Sequence, residues 1–290
     1  MFTPFRAAGD DRMRRWTRES YETFRHLAST AADATGVTVG PLRELFFHPQ
    51  PGDPWWTDLV QGARRLANVP AGYVDGWEAW MPRMRMLSYM PWLERRFVNE
   101  LGGQIVTQRV REFADLFSRG FNIVINCAGL GARELADDPN VCPMRGQVLH
   151  VANTLGLNEA LAEEGRGAIT TYIFPFQDYV VLGGTYERDE WSESTSESDL
   201  AAIVERCRDL LRACGHADWR RMGEQRLRAL AGLRPARVIG GIEEAVRLER
   251  EAVGADRFII HNYGHGRTGV TLSWGCAAEV VRLVEEVTAL

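Results

Sequence analysis

The stretch that decides the fold lies near the end of the chain, where residues 257–287 read RFIIHNYGHGRTGVTLSWGCAAEVVRLVEEV. Its apolar start, Arg257 to His261, is typical of a buried strand. The glycines between Asn262 and Gly269 predict a turn, and the apolar spacing from Val270 to Val287 predicts a helix. A strand, a glycine turn and a helix N-terminus together form an anion site, because exposed backbone N–H groups and the helix dipole both favour negative charge.

Helices and strands alternate irregularly before this stretch. Hydrophobic spacing predicts a helix from Arg12 to Ala28 and another from Leu200 onward, capped by Ser198 or Asp199. Pro91 is expected to open a helix that ends at Gly102-Gly103. Short apolar or alternating runs predict strands at 104–108, 121–126, 146–151, 169–174 and 179–183. This order favours an α+β fold, or an α/β fold with an antiparallel sheet added.

The composition is that of a globular protein that acts on small molecules. The 290 residues carry 34 basic side chains, all of them arginine, against 39 acidic ones, which gives a net charge of -5. This balance gives no reason to expect nucleic acid or an anionic membrane as a partner. The apolar runs are far shorter than the roughly 20 residues that span a bilayer. Five cysteines without zinc-type spacing are typical of reduced thiols, so we expect a cytoplasmic protein.

Four motifs, spread over most of the chain, occur in a characteristic order. They are NCAGLGAR with RGQV (126–133 and 145–148), TYIFP with VVLGGTY (171–175 and 180–186), GLRPAR (232–237) and HNYGHGRTGVTLSWGCA (261–277). Together they resemble the D-amino-acid oxidase and D-aspartate oxidase family. Each motif alone is weak evidence, but their order matches that family and the match covers essentially the whole chain.

The resemblance implies flavin adenine dinucleotide (FAD) as cofactor and oxidative deamination of D-amino acids. Hydride leaves the substrate α-carbon for the flavin, the imine hydrolyses to a 2-oxo acid and ammonia, and oxygen reoxidises the flavin to give hydrogen peroxide. The implied chemistry needs no side-chain acid or base. The implied fold is an FAD-binding Rossmann-like domain, N-terminally truncated, interleaved with a substrate domain of large antiparallel sheet. The cofactor side would comprise about 104–150 and 232–290, and the substrate side about 10–103 and 151–231.

The same resemblance assigns substrate contacts to Tyr172, Tyr186, Arg234 and Arg267. Arg234 would clamp the substrate carboxylate, since a planar guanidinium suits a bidentate contact, and Tyr172 would hydrogen-bond the same group. The backbone carbonyl of Arg267 would accept the substrate amino group. The plain alternatives are a structural ion pair for Arg234 and an ordinary half-buried strand tyrosine for Tyr172.

Tyr186 bears on substrate choice, because it stands where the D-aspartate branch has an arginine after the GGT segment. Its aromatic face suits neutral, fairly bulky side chains such as those of D-Met, D-Phe or D-Leu. Ala168 stands where the mammalian D-amino-acid branch has a lid tyrosine, which implies a more open entrance. Two alternatives stay open: TYIFP together with Arg188 or Arg267 accepts D-Asp or D-Glu, and Tyr186 is a strand-end aromatic that points away from the pocket.

Backbone groups of three segments are expected to hold the cofactor. The residues that match the family there are Val110, Cys127, Ala128, His265, Gly266, Arg267, Gly269, Val270 and Thr271. In the last segment, backbone N–H groups at the helix start can stabilise negative charge on the flavin. A glycine-rich turn before a helix is the plain alternative there, and Val110, Cys127 and Ala128 are equally typical of ordinary buried residues. His261 and His265 are spaced like a metal pair, but glycines break the helix between them, so we expect no metal.

The family's N-terminal unit has no counterpart in this sequence. Its G-x-G-x-x-G motif for the pyrophosphate is absent, and Gly129-x-Gly131 lacks the third glycine. The segment MFTPFRAA at 1–8 resembles the part that follows this unit, so on the order of fifty N-terminal residues are expected to be missing. Two alternatives therefore stay open: a related flavin amine oxidase acting on glycine or an N-methylated amino acid, and an inactive truncated homologue unable to hold FAD. The resemblance is compatible with a homodimer.

Overall fold

The computed structural model describes residue 2 and residues 10–165, 170–243 and 245–289. Ala168 and most of the opening segment MFTPFRAA lie outside the described residues. The helices are α1 (Asp11–Thr30), α2 (Ala32–Thr35), α3 (Met86–Arg95, continued by a π-helical turn at Arg96–Glu100), α4 (Phe113–Ser118), α5 (Ala132–Leu135), α6 (Glu197–Ala213) and α7 (Gly269–Thr288). The strands are β1 (Val37–Phe46), β2 (Arg64–Arg65), β3 (Asp75–Met84), β4 (Ile123–Asn126), β5 (Val141–Ala152), β6 (Ala160–Glu164), β7 (Thr171–Pro175), β8 (Tyr179–Gly183), β9 (Glu187–Arg188), β10 (Arg226–Arg237), β11 (Arg247–Ala252) and β12 (Phe258–Tyr263).

Most strands belong to one mixed sheet. Its order in the described residues is β10-β5-β8-β7-β6-β1-β3-β2, and β9 also pairs with β5. The β5–β8, β8–β7 and β7–β6 pairs are antiparallel, whereas β6 and β1 are parallel. A second sheet has the order β11-β12-β4, with β12 antiparallel to β11 and parallel to β4. The predicted mixture of helices with a largely antiparallel sheet is confirmed.

Internal contacts divide the chain into two compact units. The first unit comprises Val39–Met81 and Met144–Arg234, and the second unit comprises Phe2–Thr38, Pro82–Pro143 and Pro235–Leu290. These divisions fall at other residues than the predicted segments, since 10–38 and 82–103 group with 104–143. The assignment of one side to the cofactor and the other to the substrate stays a prediction.

In the first unit, α6 packs against the sheet. Leu149, Ile173 and Leu182 come from neighbouring strands, are at most 1% exposed and share one core with Ile203 and Leu210 of the helix. Each such side chain contributes roughly 1.5–3 kcal/mol through burial. The residues next to them in the strands point to the opposite face, because strand side chains alternate. That opposite face is the one that carries Tyr172.

The predicted cap of α6 is wrong by two or more residues. Ser196 caps the helix, since its Oγ accepts the backbone N–H of Asp199 at 3.4 Å, whereas Ser198 and Asp199 lie within the first turn. The polar run before the helix contains several serines that could cap it. A hydrogen bond to Gln147 determines which of them does. Its side-chain oxygen accepts the backbone N–H of Ser196 at 2.6 Å.

In the second unit, α1 and α7 pack closely. The backbone of Trp16 fills the space where a side chain at Gly275 would lie. The Gly275 N–H donates to Ser20 Oγ at 2.9 Å. The predictions of these two helices are confirmed. None of the described helices combines the length and apolar character needed to cross a membrane.

Two predictions between residues 86 and 110 are wrong. The helix begins at Met86, and Pro91 lies inside it. Proline costs this helix one backbone hydrogen bond, but Tyr89 holds the upstream turn, because it is buried and its hydroxyl accepts the Trp274 indole N–H at 2.8 Å. Residues 104–108 form no strand. Ile105 and Val106 are 59% and 70% exposed, and no described strand pairs with them, so the run lacks the partner that a strand requires.

Candidate active site

The strand order of the first unit places Arg234 on the outer strand β10, next to β5. The Arg234 side chain is half-buried, and its Nη1 donates to the backbone oxygen of Met144 at 3.4 Å. No carboxylate in the described part of the chain forms an ion pair with it. The structural ion pair considered above therefore finds no partner among those residues, and the guanidinium can bind an external carboxylate.

Tyr172 lies beside this arginine. Burial raises the pKa of the Tyr172 hydroxyl, and the Arg234 guanidinium, which is its charged hydrogen-bonding neighbour, offsets part of that rise. The hydroxyl therefore stays protonated and can donate. Phe174 follows two residues later on the same face, and its ring stacks on Tyr172 with centroids 4.6 Å apart and planes 18° apart. The strand period of two explains this neighbour, although sequence reasoning did not single it out.

Glycines leave the space that these two side chains occupy. A Cβ at Gly146 would collide with the Arg234 guanidinium, and a Cβ at Gly183 would collide with the Tyr172 ring. Val148 pairs with Gly183, and Gly183 pairs with Tyr172, so the glycines and the two polar side chains lie across neighbouring strands. The RGQV and VVLGG motifs thus have a physical reason: they provide a floor without side chains beneath Arg234 and Tyr172.

The other predicted substrate residues belong to other segments of the chain. Tyr186 is half-buried in the segment between β8 and β9. Arg188 is about half exposed, and its Nε lies 3.4 Å from Asp189 Oδ2. Arg267 belongs to the second unit, where its Nη2 lies 3.5 Å from Glu243 Oε2. The roles of Tyr186 and Arg267 stay predictions.

Three of the predicted cofactor residues line one cleft of the second unit. Val110, Cys127 and Ala128 lie around a volume of about 650 Å³, together with residues from 108–116 and 124–135. The cleft lies where β4 ends, and its volume is within the range of sites for small molecules and cofactors. Its lining combines apolar side chains such as Val110 and Leu116 with polar ones such as Gln108 and Arg109, which fits part of a dinucleotide such as FAD.

The remaining predicted cofactor residues form the start of α7. Gly264 and Gly266 have φ angles of +86° and +54°, which favour glycine. The Thr268 N–H donates to the His265 backbone oxygen at 2.9 Å, and Thr268 makes no side-chain cap for the helix. An uncapped helix start offers backbone N–H groups to an electron-rich group. Burial lowers the pKa of His265 to about 4, so this site carries no imidazolium near neutral pH.

Arg237, the second arginine of GLRPAR, packs against the loop before α7. A Cβ at Gly264 would meet the Arg237 side chain at 2.6 Å. Its Nε donates to Asp138 Oδ2 at 2.6 Å, and the Tyr263 hydroxyl donates to the same oxygen at 2.9 Å. Although burial opposes ionisation, these two donors hold the pKa of Asp138 below its usual value. Sequence reasoning gave Asp138 no role, because its partners come from distant segments.

Clusters of three or more His, Cys, Asp or Glu side chains suited to a metal ion are absent from the residues that the structure describes. His261 instead lies between Asn126 Nδ2, 3.2 Å from its Nδ1, and Glu251 Oε2, 3.0 Å from its Nε2.

The family model for FAD dependent oxidoreductases (DAO) matches residues 1–283. The chain belongs to this family, FAD is its cofactor, and the resemblance inferred from the four motifs is confirmed. A D-amino-acid oxidase from Rubrobacter xylanophilus is 39% identical over 284 residues, which cover 97% of this chain and 81% of the relative. The human D-aspartate oxidase is 34% identical over 285 residues, 94% of this chain and 77% of that protein.

Solved structures agree with the fold. The crystal structure of glycine oxidase from Geobacillus kaustophilus superposes with a TM-score of 0.72 and covers 97% of this chain and 81% of that chain. Its sequence identity is 16%, so this likeness shows the fold alone.

Proposed function

We propose that this protein oxidises D-amino acids with FAD and releases a 2-oxo acid, ammonia and hydrogen peroxide. The observation that carries the proposal is the half-buried Arg234 guanidinium beside Tyr172, without a carboxylate partner among the described residues. A cation in that position can form an ion pair with the carboxylate of an amino acid, because half-buried charges are stable when they are paired. The relatives named D-amino-acid oxidase and D-aspartate oxidase support the same class of substrate.

In this proposal, residues of the first unit bind the substrate. Arg234 binds both carboxylate oxygens through its planar fork. Tyr172 donates its hydroxyl proton to one of them, and its raised pKa keeps that proton available. Two contacts to one planar group fix the orientation of the α-carbon, and such positioning is a large part of catalysis when no side chain transfers a proton.

Cofactor binding is the work of the second unit. Bound FAD supplies the hydride acceptor and is reoxidised by oxygen. Val110, Cys127 and Ala128 would contact it in the cleft, and residues 265–271 would contact it at the start of α7. There the backbone N–H groups would stabilise negative charge on the flavin. The contact of the Arg267 carbonyl with the substrate amino group stays a prediction from the resemblance.

The preferred substrates in this proposal are neutral D-amino acids. Phe174 stacks on Tyr172 and provides an aromatic surface next to the carboxylate contacts. Arg188, the candidate for a second cation, is about half exposed and paired with Asp189. An acidic substrate side chain therefore gains less binding free energy from Arg188 than an apolar side chain gains from the aromatic rings.

A peroxide assay on both enantiomers of several amino acids tests the proposal. We expect flavin absorbance in the purified protein, and peroxide from D-Phe, D-Met and D-Leu but not from the L-enantiomers. Arg234→Ala should abolish saturation by the substrate while leaving the flavin bound. Equal rates on both enantiomers would contradict the proposal, and faster oxidation of glycine or an N-methylated amino acid would favour the amine oxidase alternative.

Two further parts of the proposal concern the protein in the cell. We expect a cytoplasmic location, supported by five cysteines that form no disulfide among the described residues, and a homodimer. Cell fractionation and light scattering of the purified protein measure these directly.

A further inference from the structure

A series of hydrogen bonds, buried at its centre, starts at the cleft that is lined by Val110, Cys127 and Ala128. Asn126 ends β4 and pairs in register with His261 of the neighbouring strand β12. Asn126 is 3% exposed and His261 is 1% exposed. Their side chains lie 3.2 Å apart, and His261 continues to Glu251 of β11 at 3.0 Å. Asn126 Oδ1 also accepts the backbone N–H of Ala128 at 3.1 Å.

The Ala128 N–H can only donate, and this fixes the direction of every other hydrogen bond in the series. The Ala128 N–H must face an oxygen, so the Asn126 Nδ2 must face His261. Nδ2 also only donates, which requires an unprotonated His261 Nδ1. The proton of the neutral ring is therefore on Nε2, from which it is donated to the Glu251 carboxylate. We call Asn126, His261 and Glu251 the relay.

We propose that the relay is a positioning device for the cofactor: neutral His261 holds Asn126, Asn126 holds the Cys127–Ala128 backbone in its binding conformation, and protonation of His261 releases it. The proposal rests on the placement of FAD against Cys127 and Ala128 given under the proposed function. None of the three relay residues was a predicted contact. Asn126 lines the same cleft as Cys127 and Ala128, and His261 and Glu251 act on the cofactor only through Asn126 and the turn.

Protonation breaks the relay for a geometric reason. A proton on His261 Nδ1 would face the Asn126 Nδ2 donor, so two donors would oppose each other in a buried place. Rotation of the Asn126 amide removes that conflict but turns Nδ2 towards the Ala128 N–H, which creates the same conflict one step further. One buried hydrogen bond is lost in either case, which is worth roughly tenfold in an equilibrium.

The groups around His261 keep the ring neutral near physiological pH. Glu249 and Arg247 lie with Glu251 on β11, and Arg247 Nη2 donates to the same Glu251 oxygen at 3.1 Å. From α4, Phe113 presents its ring to His261, and Tyr263 flanks the ring on β12. Burial lowers the pKa of His261, Glu251 and Glu249 raise it, Arg247 lowers it, and the pKa lies below the usual value.

The relay also reaches the second cofactor segment. Arg247 Nη1 donates to the Tyr263 hydroxyl at 3.0 Å, and that hydroxyl donates to Asp138, which is held by Arg237 beneath Gly264. Hydrogen bonds thus connect the turn after β4 to Tyr263 and Arg237, and both of these residues adjoin Gly264 in the loop before α7. Protonation of His261 is therefore expected to alter the backbone of both segments.

The first test measures the relay without any flavin. Selective ¹⁵N labelling of histidine and alanine in the full chain reports the protonation of the His261 ring nitrogens and the environment of the Ala128 amide. At pH 8 we expect a proton on Nε2 and none on Nδ1. Below pH 6.5 the Ala128 amide resonance should move with the same midpoint as His261. A proton on Nδ1 at pH 8, or an Ala128 amide that ignores the titration of His261, would overturn the relay.

The second test measures the FAD dissociation constant from pH 8 to pH 5 by quenching of flavin fluorescence. In the unmodified protein the dissociation constant should rise by up to about tenfold in total as the pH falls below the pKa of His261. Asn126→Ala should weaken binding roughly tenfold at pH 8 and flatten the profile. Asn126→Asp should keep tight binding at acid pH, because a carboxylate accepts both the Ala128 N–H and a protonated Nδ1.

His150→Gln is the matched control. His150 is a half-buried histidine of the first unit whose pKa is also lowered by burial, so this variant should keep the pH profile of the unmodified protein. An Asn126→Asp profile identical to that of the unmodified protein would overturn the positioning role. At saturating FAD and pH 8 the unmodified protein and His150→Gln should both give peroxide from a D-amino acid. No peroxide from either would contradict the proposed function, whereas the ¹⁵N result reports on the relay independently.

Discussion

Gly146→Ala is expected to disable the carboxylate clamp without touching its charge. The added methyl carbon would lie where the Arg234 guanidinium now rests, so the guanidinium must move. Its hydrogen bond to the Met144 oxygen, already 3.4 Å long, would be lost with that movement. Both the positive charge and the Tyr172 hydroxyl remain, and only their geometry changes.

The expected size of the effect follows from that displacement. Real Cβ atoms require van der Waals separation from nitrogen, which moves the guanidinium by about 1 Å, and such a misplacement typically costs on the order of 100-fold in rate. We therefore expect kcat/KM on D-Phe to fall about 100-fold, or about 2.7 kcal/mol, mostly through KM. The free energy of unfolding should change little, because alanine is at least as stable as glycine in an extended strand.

Gly232→Ala is the matched control, since Gly232 lies on the same strand as Arg234, two residues earlier, and a Cβ there would meet no atom within 4 Å. Steady-state peroxide kinetics, flavin absorbance and thermal unfolding are measured on both variants. The control should stay within twofold of the unmodified protein. If Gly146→Ala also stays within twofold, or if both variants lose the same activity, the glycine floor does not position Arg234.

Three further predictions concern individual side chains. Tyr172→Phe removes one hydrogen bond to a charged group while the ring keeps its stack on Phe174, so KM for a D-amino acid should rise about tenfold, whereas an unchanged KM would remove Tyr172 from the site. Tyr186→Arg should raise the ratio of kcat/KM on D-Asp to that on D-Phe, and Arg188→Ala should leave this ratio unchanged; a fall after Arg188→Ala would instead assign the second cation to Arg188. Hydrogen bonds from Arg65 hold the pKa of Asp75 at about 2, below its unfolded value of about 3.9, so the stability that Asp75 contributes is complete above about pH 4 and lost as pH falls towards 2. Urea unfolding should show that Asp75→Asn removes about 1–2 kcal/mol at pH 6 and less at pH 3.

The elements that sequence reasoning located are those whose pattern is local. The helices α1, α6 and α7 carry apolar residues at helical spacing, and β4 and β8 are short β-branched runs bounded by turns. Strand β3 is buried over nearly its whole length, so DGWEAWMPRM shows no alternation. Strand β11 is mostly exposed and charged, so RLEREA offers only the buried Leu248 as an apolar signal. In β10, Gly232 and Pro235 argue against a strand, yet an outer strand tolerates proline.

The candidate site shows the same limit: residues within local motifs could be predicted, and pairs formed across strands could not. The four motifs singled out Arg234, Tyr172 and the residues of the cofactor segments as candidates. In the structure Arg234 and Tyr172 are neighbours, and the roles of all these residues stay predictions. The reason for the glycines could not be predicted, because Gly146 and Arg234 meet only through strand pairing. Asn126 and His261 are 135 residues apart, and the register of β4 and β12 brings them together. Local spacing carries no information about such long-range pairs.

The glycine floor also limits how this active site can be altered by directed evolution. Side chains introduced at Gly146 or Gly183 would occupy the space of Arg234 or Tyr172, so variants at these positions lose substrate recognition before they gain a new specificity. A mutant library aimed at other D-amino acids should keep both glycines fixed and vary Phe174 and Tyr186 instead. Under the proposed function, new preferences can then arise at these two positions while Arg234 and Tyr172 keep their places.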